Sequence, residues 1–465
     1  MNRNRLPCAL SMMLLAACPS RDISKLDPEP AKEVYKEIPV TSNRNIDILF
    51  VVDNSDSMRE EQVNLANNFP RFIQVLDGIE GGRPSIHLGV VSSDMGIPPY
   101  GAESCSGNGD DGLLQNTPRT TGCNVPKNGA RFLEDIALTG GGRQTNYDGN
   151  LEDAFSCIAQ LGTTGCGLEQ HLASMKRALD GSVPANDGFV RDGAYLAIII
   201  MGDEDDCSAR DNSVFNPSRD LDNINSPLGV FASYRCTEFG VTCDGLSSLP
   251  RAAGDYQSCQ PRGDSYLYHP QYFVDFLRQR KVDPNLLIAA AIVGNPTPLG
   301  VFINDKGAPT LKNSCVSANG KADPGVRQKY FVDQFGTQGT FVSICQDNFD
   351  DALDQIAKLL TKVIGTPCLD DDVKPVDINP SEPGLQLECL VYDKNSNPTG
   401  GTVETIIPRC HMVDANTPKT DNLPCWWTNV DNTKCMDSAT GLTLHVERAA
   451  DPAATTRVVV RCIAD

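Results

Sequence analysis

Three nearly continuous apolar runs constrain the fold of this chain more than any other feature of its sequence. They cover residues 46–52 (IDILFVV), 195–201 (YLAIIIM) and 286–293 (LLIAAAIV). Runs of this length and β-propensity are typical of strands that are buried on both faces. Segments with helical periodicity lie between them, the clearest over residues 58–76. Strands that alternate with helices predict an α/β fold with a doubly wound, mostly parallel sheet.

Weaker patterns extend this domain and bound a second one. Further strands are predicted over 86–91 and 340–344, and further helices over 150–161, 168–179, 272–280 and 349–364. The α/β domain is therefore predicted to span 45–365, with disulfide-stapled insertions around 96–130, 207–268 and 295–330. Residues 366–465 hold short alternating stretches separated by turn residues, which predict a small all-β domain, a sandwich.

The first eighteen residues carry the pattern of a bacterial lipoprotein signal. Arg3 and Arg5 precede an apolar run that is too short to span a bilayer. Leu15-Ala16-Ala17-Cys18 resembles the lipobox, in which the cysteine receives the lipid. We expect removal of residues 1–17, lipidation of Cys18 and attachment to the bacterial outer membrane through the lipid alone, facing either the periplasm or the exterior. The alternative is an ordinary secretory signal.

The residues that follow Cys18 are expected to act as a spacer. Residues 18–44 contain several prolines, mixed charges and few large apolar groups. Such a composition does not support packing against a core. We therefore predict a tether between the lipid and the α/β domain.

The cysteine count indicates an oxidising compartment. Of 18 cysteines, Cys8 leaves with the signal and Cys18 carries lipid, so an even sixteen remain. No CxxC and no Cys/His spacing typical of zinc is present. Cys157/Cys166 and Cys236/Cys243 look like local bridges, but the sequence leaves the connectivity open. All sixteen are predicted to be paired: Cys105, Cys123, Cys157, Cys166, Cys207, Cys236, Cys243, Cys259, Cys315, Cys345, Cys368, Cys389, Cys410, Cys425, Cys435 and Cys462.

Oxygen-bearing side chains gather where the predicted strands end. Asp53, Ser55 and Ser57 directly follow the first buried run, and Asp203 follows the run 195–201. Thr163 lies in a Gly-Thr-Thr-Gly loop between two predicted helices. Because ligands bind at the carboxyl ends of parallel strands, these groups are expected to lie together. Hydroxyl and carboxylate oxygens suit Mg²⁺; the alternative for the DNSDS segment is a polar turn that caps a helix.

These loops resemble the von Willebrand factor type A (vWA) domain and its metal-ion-dependent adhesion site (MIDAS). The family pattern is DxSxS after the first strand, a Gly-Thr loop before a helix and an Asp after the fourth strand. Asp203 departs in its flanks, since Gly-Asp-Glu replaces the usual Thr-Asp-Gly. Topology favours Thr163 for the threonine position, with Thr164 and Thr145 as alternatives. The resemblance implies Mg²⁺ or Mn²⁺ bound by Asp53, Ser55, Ser57, Thr163 and Asp203, and a partner protein that presents a carboxylate.

The lipobox, the cysteines and the type A pattern together resemble the cysteine-rich vWA lipoproteins of δ-proteobacteria, a group that includes a gliding-motility adhesin. That resemblance implies a lipid-anchored adhesion or protein-binding module. The alternative is a periplasmic scaffold or assembly factor that uses the fold without external adhesion. No G-x-S-x-G, P-loop or H-E-x-x-H motif occurs, so no enzymatic activity is expected. The net charge of −20 disfavours nucleic acid as a partner.

Two further features have alternative interpretations. Glu204, Asp205 and Asp206 are candidate ligands for a second cation such as Ca²⁺, or a solvated acidic loop. Trp426 and Trp427 suggest a carbohydrate platform, although packing of at least one ring on the neighbouring Cys425 bridge is the simpler interpretation.

Overall fold

A seven-stranded sheet organises residues 45–364 in the computed structural model of the chain. The structure describes residues 32–39, 45–79, 82–102, 105–117, 126–138, 141–263, 265–281, 283–318, 320–347, 349–364, 368–369, 371–396, 402–432, 435, 438–449, 452 and 456–464. Residues 1–17, Cys18 and Cys123 lie outside these ranges, so the predictions of a signal, of lipidation and of a disulfide at Cys123 fall outside the described residues. Within these ranges, no helix is long and apolar enough to cross a membrane.

The strands and helices predicted for the α/β domain are present to within a few residues at most ends, and the structure adds elements that were not predicted, among them Leu133–Ala137, Tyr234–Gly240 and Val326–Asp333. The main strands are β1 (Lys32–Pro39), β2 (Asn45–Val52), β3 (Ser85–Ser92), β4 (Leu133–Ala137), β5 (Arg143–Thr145), β6 (Tyr195–Gly202), β7 (Leu287–Val293), β8 (Gly339–Ser343), β9 (Cys389–Ser396), β10 (Thr402–Ile407), β11 (Cys425–Val430), β12 (Leu442–Glu447) and β13 (Thr456–Ala464). The helices are α1 (Arg59–Asp77), α2 (Leu151–Ala159), α3 (His171–Leu179), α4 (Tyr234–Gly240), α5 (Gln271–Arg280), α6 (Val326–Asp333) and α7 (Asp350–Ile364). Shorter strands cover Val241–Thr242, Gly254–Tyr256, Gln260–Pro261, Leu299–Ile303, Pro309–Lys312, Cys315–Ser317, Gly320–Ala322, Met412–Asp414 and Thr417–Pro418.

The central sheet has the order β8-β7-β6-β2-β3-β4-β5. The first five of these strands are parallel, and β4 and β5 continue the sheet antiparallel. Helices α1, α2 and α7 cover one face and α3, α5 and α6 cover the other. Because both faces are covered, β2, β6 and β7 are apolar along nearly their whole length. The predicted α/β class with a doubly wound, mostly parallel sheet is confirmed.

Helix α1 shows how the apolar pattern produces this packing. Its apolar stripe, which includes Leu65, Phe69, Phe72 and Leu76, is fully buried against β2 and α2. The ring of Phe69 stacks on that of Phe155, with centroids 3.7 Å apart. Each such side chain contributes about 1.5–3 kcal/mol by leaving water. The stripe therefore fixes which face of α1 packs against the sheet and α2.

The C-terminal region is all-β, as predicted. A four-stranded antiparallel sheet has the order β1-β13-β9-β10, and β11 pairs with β12 in a separate hairpin. Val391, Val458 and Val460 of the sheet share one apolar core with Trp426 and Leu444 of the hairpin. Two β layers thus enclose the core of this domain.

Strand β1 corrects the tether prediction. Lys32–Pro39 lies within the predicted spacer 18–44, but it pairs antiparallel with β13, from Lys32 opposite Ala464 to Pro39 opposite Arg457. A composition poor in apolar residues did not prevent strand formation, because β13 offers a free edge whose backbone groups need partners. The N-terminal segment therefore completes the C-terminal sheet.

The disulfides differ from the two proposed local bridges. Cys166 pairs with Cys105 rather than Cys157, while Cys236 pairs with Cys207 rather than Cys243. Closeness in sequence did not predict the disulfide partners, because the folded insertions bring together cysteines that are far apart along the chain. Every cysteine of the described ranges is disulfide-bonded, Cys157 included. Further bridges between described cysteines are Cys243–Cys259, Cys315–Cys345, Cys368–Cys435, Cys389–Cys462 and Cys410–Cys425.

Candidate metal-binding site

The three predicted ligand loops meet at the carboxyl ends of β2 and β6. The backbone N–H of Asp53 donates to Met201 O of β6 at 2.9 Å. The loop between α2 and α3, which carries Thr163, is joined to the β2 loop because Gly165 N–H donates to Asn54 O at 2.8 Å. The hydroxyls of Ser55 and Ser57 lie 3.2 Å apart. Asp203 follows β6 directly, so all five predicted residues lie on loops that share this end of the sheet.

Gln62 of α1 holds two of these loops together. Its side-chain N–H donates to Asp53 O and to Gly162 O, each at 2.9 Å, and its Oε1 accepts from Gly162 N at 3.1 Å. The side chain is almost completely buried. Sequence reasoning missed this residue, since nothing marks which polar residue of a helix turns toward a neighbouring loop.

Buried carboxylate oxygens at this site have no hydrogen-bond partner among the described residues. Asp53 Oδ1 accepts from Ser55 N at 2.7 Å and from Ser93 Oγ at 3.4 Å, whereas Asp53 Oδ2 accepts no hydrogen bond from the part of the chain that the structure describes. Within the same part, Asp203 Oδ1 also has no donor. Buried polar atoms are almost always satisfied. A cation would supply the missing partner for both oxygens, and with the three hydroxyls nearby this donor set fits Mg²⁺.

The surroundings of Asp53 and Asp203 are strongly acidic. Burial raises the pKa of Asp53 well above its ordinary value, and the neighbouring Asp203 adds to that rise. Burial also raises the pKa of Asp203, of Glu204 to about 8 and of Glu61 to about 7. Glu169, buried beside Glu204, has a raised pKa for the same reason. These carboxyl groups come from four separate segments, and Glu61 and Glu169 were not recognised from sequence.

The three candidate threonines occupy different positions relative to Asp53. Thr163 is half-buried, and its hydroxyl accepts from Arg59 Nη2 at 3.3 Å. Thr164 is next to it and exposed. Thr145 lies on β5 opposite Asp135, which itself pairs with Ile86 at the amino end of β3. Thr145 is therefore at the other end of the sheet, away from Asp53.

The described residues contain no group of three or more His, Cys, Asp or Glu side chains arranged to hold a metal ion. The predicted ligand set includes only two residues of these types, Asp53 and Asp203. Any ion at this site would therefore depend on the hydroxyls of Ser55, Ser57 and Thr163. Neutral hydroxyl ligands would leave much of the charge of the ion uncompensated.

The acidic residues after Asp203 have other roles. Both carboxylate oxygens of Asp205 accept from the backbone N–H of Arg327, at 3.0 and 3.1 Å. Asp206 forms a fully buried ion pair with the Arg327 guanidinium at 3.0 Å. The interpretation of residues 204–206 as a solvated acidic loop does not hold, because Asp205 and Asp206 are buried. Since their oxygens are engaged, we do not propose that they bind Ca²⁺.

Disulfides hold the ligand loops on both sides. Cys166, three residues after Thr163, is bonded to Cys105 of the first insertion. Cys207, four residues after Asp203, is bonded to Cys236 of the second insertion. Cross-links of this kind restrict the unfolded chain and contribute about 2–4 kcal/mol each. The insertions thus stabilise the end of the sheet that carries the site.

The strand order, the helices on both faces and the DxSxS segment after β2 together define a vWA-like fold. No protein-family profile matches the chain, and no curated protein does. Among solved structures, the chain is similar to a von Willebrand factor type A protein from Catenulispora acidiphila (10% identity, TM-score 0.28, 94% of this chain and 62% of that one). It is also similar to the pilus adhesin RrgA from Streptococcus pneumoniae (11%, 0.24, 93% and 57%) and to three N-terminal domains of the type V pili tip protein Mfa5 from Porphyromonas gingivalis (12%, 0.22, 94% and 68%).

The chain thus spans less than two thirds of the length of the first two of these structures. The strand order and the helix positions of this chain themselves define its fold.

Proposed function

We propose that this protein is a lipid-anchored adhesion or protein-binding module that captures an acidic group of a partner protein through a MIDAS-type Mg²⁺ site. One observation carries the proposal: Asp53 and Asp203 each have a buried oxygen without a partner in the described ranges. Those oxygens lie on the same end of the sheet as the hydroxyls of Ser55, Ser57 and Thr163. Mn²⁺ is the alternative ion.

The residues of the chain would hold the ion and leave it accessible. Asp53 is oriented by Ser55 N–H and by Ser93, while Gln62 fixes the spacing between the Asp53 and Thr163 loops. Ser57 is exposed and Thr163 half-buried, so the site opens to solvent. A bound Mg²⁺ would supply a weakly neutralised positive charge that attracts a carboxylate.

Anchoring and location are part of the same proposal. Lipidation of Cys18 would attach the protein to the outer membrane, and we propose no catalytic activity and no nucleic-acid partner. A periplasmic scaffold is the second candidate function. The open rim around Ser57 and Thr163 favours ligand capture over a purely structural role for this end of the sheet. Protease accessibility in intact cells would separate a surface position from a periplasmic one.

The central experiment compares Asp53→Asn with Asp56→Asn. Both changes remove one carboxylate charge from the same loop without changing side-chain size, but Asp56 is exposed and outside the ligand set. At about 100-fold excess of free Mg²⁺ over its dissociation constant, linkage adds about 2.7 kcal/mol of stability. We expect this gain in the wild type and in Asp56→Asn, and its loss in Asp53→Asn.

Partner capture is tested with the same variants. Binding to an immobilised peptide that contains Glu should require Mg²⁺ and fail when Gln replaces that Glu. Without metal, Asp53→Asn should be at least as stable as the wild type, because it removes a buried carboxylate beside Asp203. The proposal is wrong if EDTA changes neither the melting temperature nor peptide binding.

A further inference from the structure

A cavity of about 230 Å³ lies in the C-terminal β domain, and its lining residues are distant in sequence from those of the metal site. Its lining includes Gln386, Arg409, His411, Lys419 and Trp426. We propose that this cavity binds one sugar ring that bears a carboxylate, such as a uronic acid unit of an acidic polysaccharide. The volume is below that of drug-sized pockets, which start at about 300 Å³, and is therefore suited to a single ring.

Arg409 is positioned to bind an oxyanion. Its guanidinium lies over the ring of Trp426, 5.0 Å from the centroid, and is half-buried. Within the described ranges the guanidinium has no hydrogen-bond acceptor. Stacking on an aromatic ring covers one face of the planar group and leaves its N–H donors along the edge available for a bidentate carboxylate. The stacked side chain loses little additional freedom when a ligand binds.

The backbone around Arg409 is also fixed. Its carbonyl accepts from Asn422 Nδ2 at 2.6 Å, and the Cys410–Cys425 disulfide follows directly. Trp426 N–H donates to Pro408 O at 2.9 Å, so the strand that supports the ring is tied to the residue before Arg409. The cation and the ring under it therefore form one rigid unit.

Gln386 supplies an acceptor and decides between a simple anion and a sugar. Its side-chain N–H groups donate to Pro383 O at 3.0 Å and Gly384 O at 3.1 Å, which fixes the orientation of the amide. Gln386 Oε1 is then left buried without a donor from the described residues. Phosphate or sulfate at neutral pH offers few donors for such an acceptor. A sugar acid has a carboxylate for Arg409 and hydroxyls, one of which would donate to Gln386 Oε1 once a small movement of the lining uncovers that buried atom.

The charge of the lining agrees with an acidic ligand. The lining carries two cations, Arg409 and Lys419, and one carboxylate, Glu382, and Asp377 is a further carboxylate that interacts electrostatically with Arg409. The imidazole of His411, which lies beside Asp421 at 3.1 Å, is a further polar group of the rim. An anion would therefore be held by its direct contacts with the cations of the lining rather than by a net positive charge around the cavity.

The tryptophans do not form the stacking platform suggested by the sequence. Trp426 is buried in the core under Arg409. Trp427 stacks on His445 at 4.0 Å and donates its indole N–H to Glu447 at 3.0 Å. Recognition would therefore come from hydrogen bonds and charge, with Trp426 acting as the support for Arg409.

Titration calorimetry of the full chain with glucuronate, glucose and sulfate tests this proposal. We expect glucuronate to bind, with glucose and sulfate at least about tenfold weaker. Arg409→Lys keeps the positive charge but loses the planar guanidinium that can donate two parallel hydrogen bonds, so it should weaken glucuronate binding by about tenfold or more. Arg409→Met should abolish glucuronate binding. Because the methionine side chain still covers the ring of Trp426, the melting temperature should change little.

Controls separate this site from the metal site. Lys374→Met removes an exposed cation of the same domain and should leave binding unchanged. EDTA and Asp53→Asn should also have no effect, so failure of one proposal does not imply failure of the other. Equal affinity for sulfate and glucuronate, no glucuronate binding, or full binding by folded Arg409→Met would each overturn the proposal.

Discussion

Replacing Arg327 by Met should destabilise the α/β domain by about 3 kcal/mol. Arg327 is completely buried, and its guanidinium donates to Asp206 at 3.0 Å, to Tyr268 O at 2.6 Å and to Gly240 O at 3.2 Å. Removing one partner of a buried ion pair costs about 3–5 kcal/mol, since the other charge remains buried. In the variant, Asp206 Oδ1 still accepts a hydrogen bond from the backbone N–H of Leu172, which is at 2.9 Å. The expected loss of stability is therefore at the low end of this range of about 3–5 kcal/mol.

The two tryptophans of the chain make the assay specific to each domain. Both lie on β11, so fluorescence follows the C-terminal domain, whereas far-ultraviolet circular dichroism follows the helices of the α/β domain. In urea, Arg327→Met should lower the midpoint of the dichroism transition and leave the fluorescence transition unchanged. Arg278→Met, an exposed arginine that donates to Gln334 O, is the matched control and should change stability by under about 0.5 kcal/mol.

A double substitution checks the cause of the effect. Asp206→Asn removes the buried charge and keeps similar shape, so Arg327→Met with Asp206→Asn should be less destabilised than the sum of the single variants. A loss below about 1 kcal/mol for Arg327→Met alone would refute the role assigned to this ion pair.

Three further predictions concern other parts of the molecule. Burial lowers the pKa of His87 to about 4, so the folded state keeps the imidazole neutral while the unfolded state takes up a proton below about pH 6.5. As pH falls from 6.5 to 4, the free energy of unfolding of the wild type, measured by urea titration, should therefore decrease by up to about 3 kcal/mol more than that of His87→Asn. Equal decreases in the two proteins would contradict this prediction. Gln62→Ala should weaken Mg²⁺ binding, measured by calorimetry, by about tenfold or more, because Gln62 holds the Asp53 and Gly162 loops together. The same change at exposed Gln74 should leave the affinity unchanged, and equal affinities of the two variants would argue against this role of Gln62. Cys18→Ser should abolish fatty-acid labelling and leave an unprocessed precursor, and a labelled variant would exclude lipidation at this residue.

The sequence predicted what depends on local pattern. The apolar runs identified β2, β6 and β7, because strands covered on both faces need apolar side chains throughout. Asp53, Ser55 and Ser57 were recognised because they occupy alternate positions of one short segment that follows β2 directly. Their placement at a shared sheet end then followed from parallel topology.

Features that depend on distant contacts could not be predicted in this way. Strand β1 pairs with β13, from the opposite end of the chain, and its own residues give only a weak strand signal. Gln62 and Glu169 were missed because their roles depend on which loop each side chain faces. Cys105 and Cys166 are 61 residues apart, and only the folded insertion shows that they meet.

The route of the chain from β1 into β2 determines how the domains would carry mechanical load. A pull on the residues before Lys32, as a membrane anchor would exert, passes along β1 and enters the sheet at Asn45, the amino end of its central strand. Asp53, at the other end of β2, is where a captured partner would pull back. The opposing forces would act along β2, parallel to its neighbours β3 and β6. Sliding β2 out would require many ladder hydrogen bonds to break at once, a geometry that resists force better than peeling them apart one at a time.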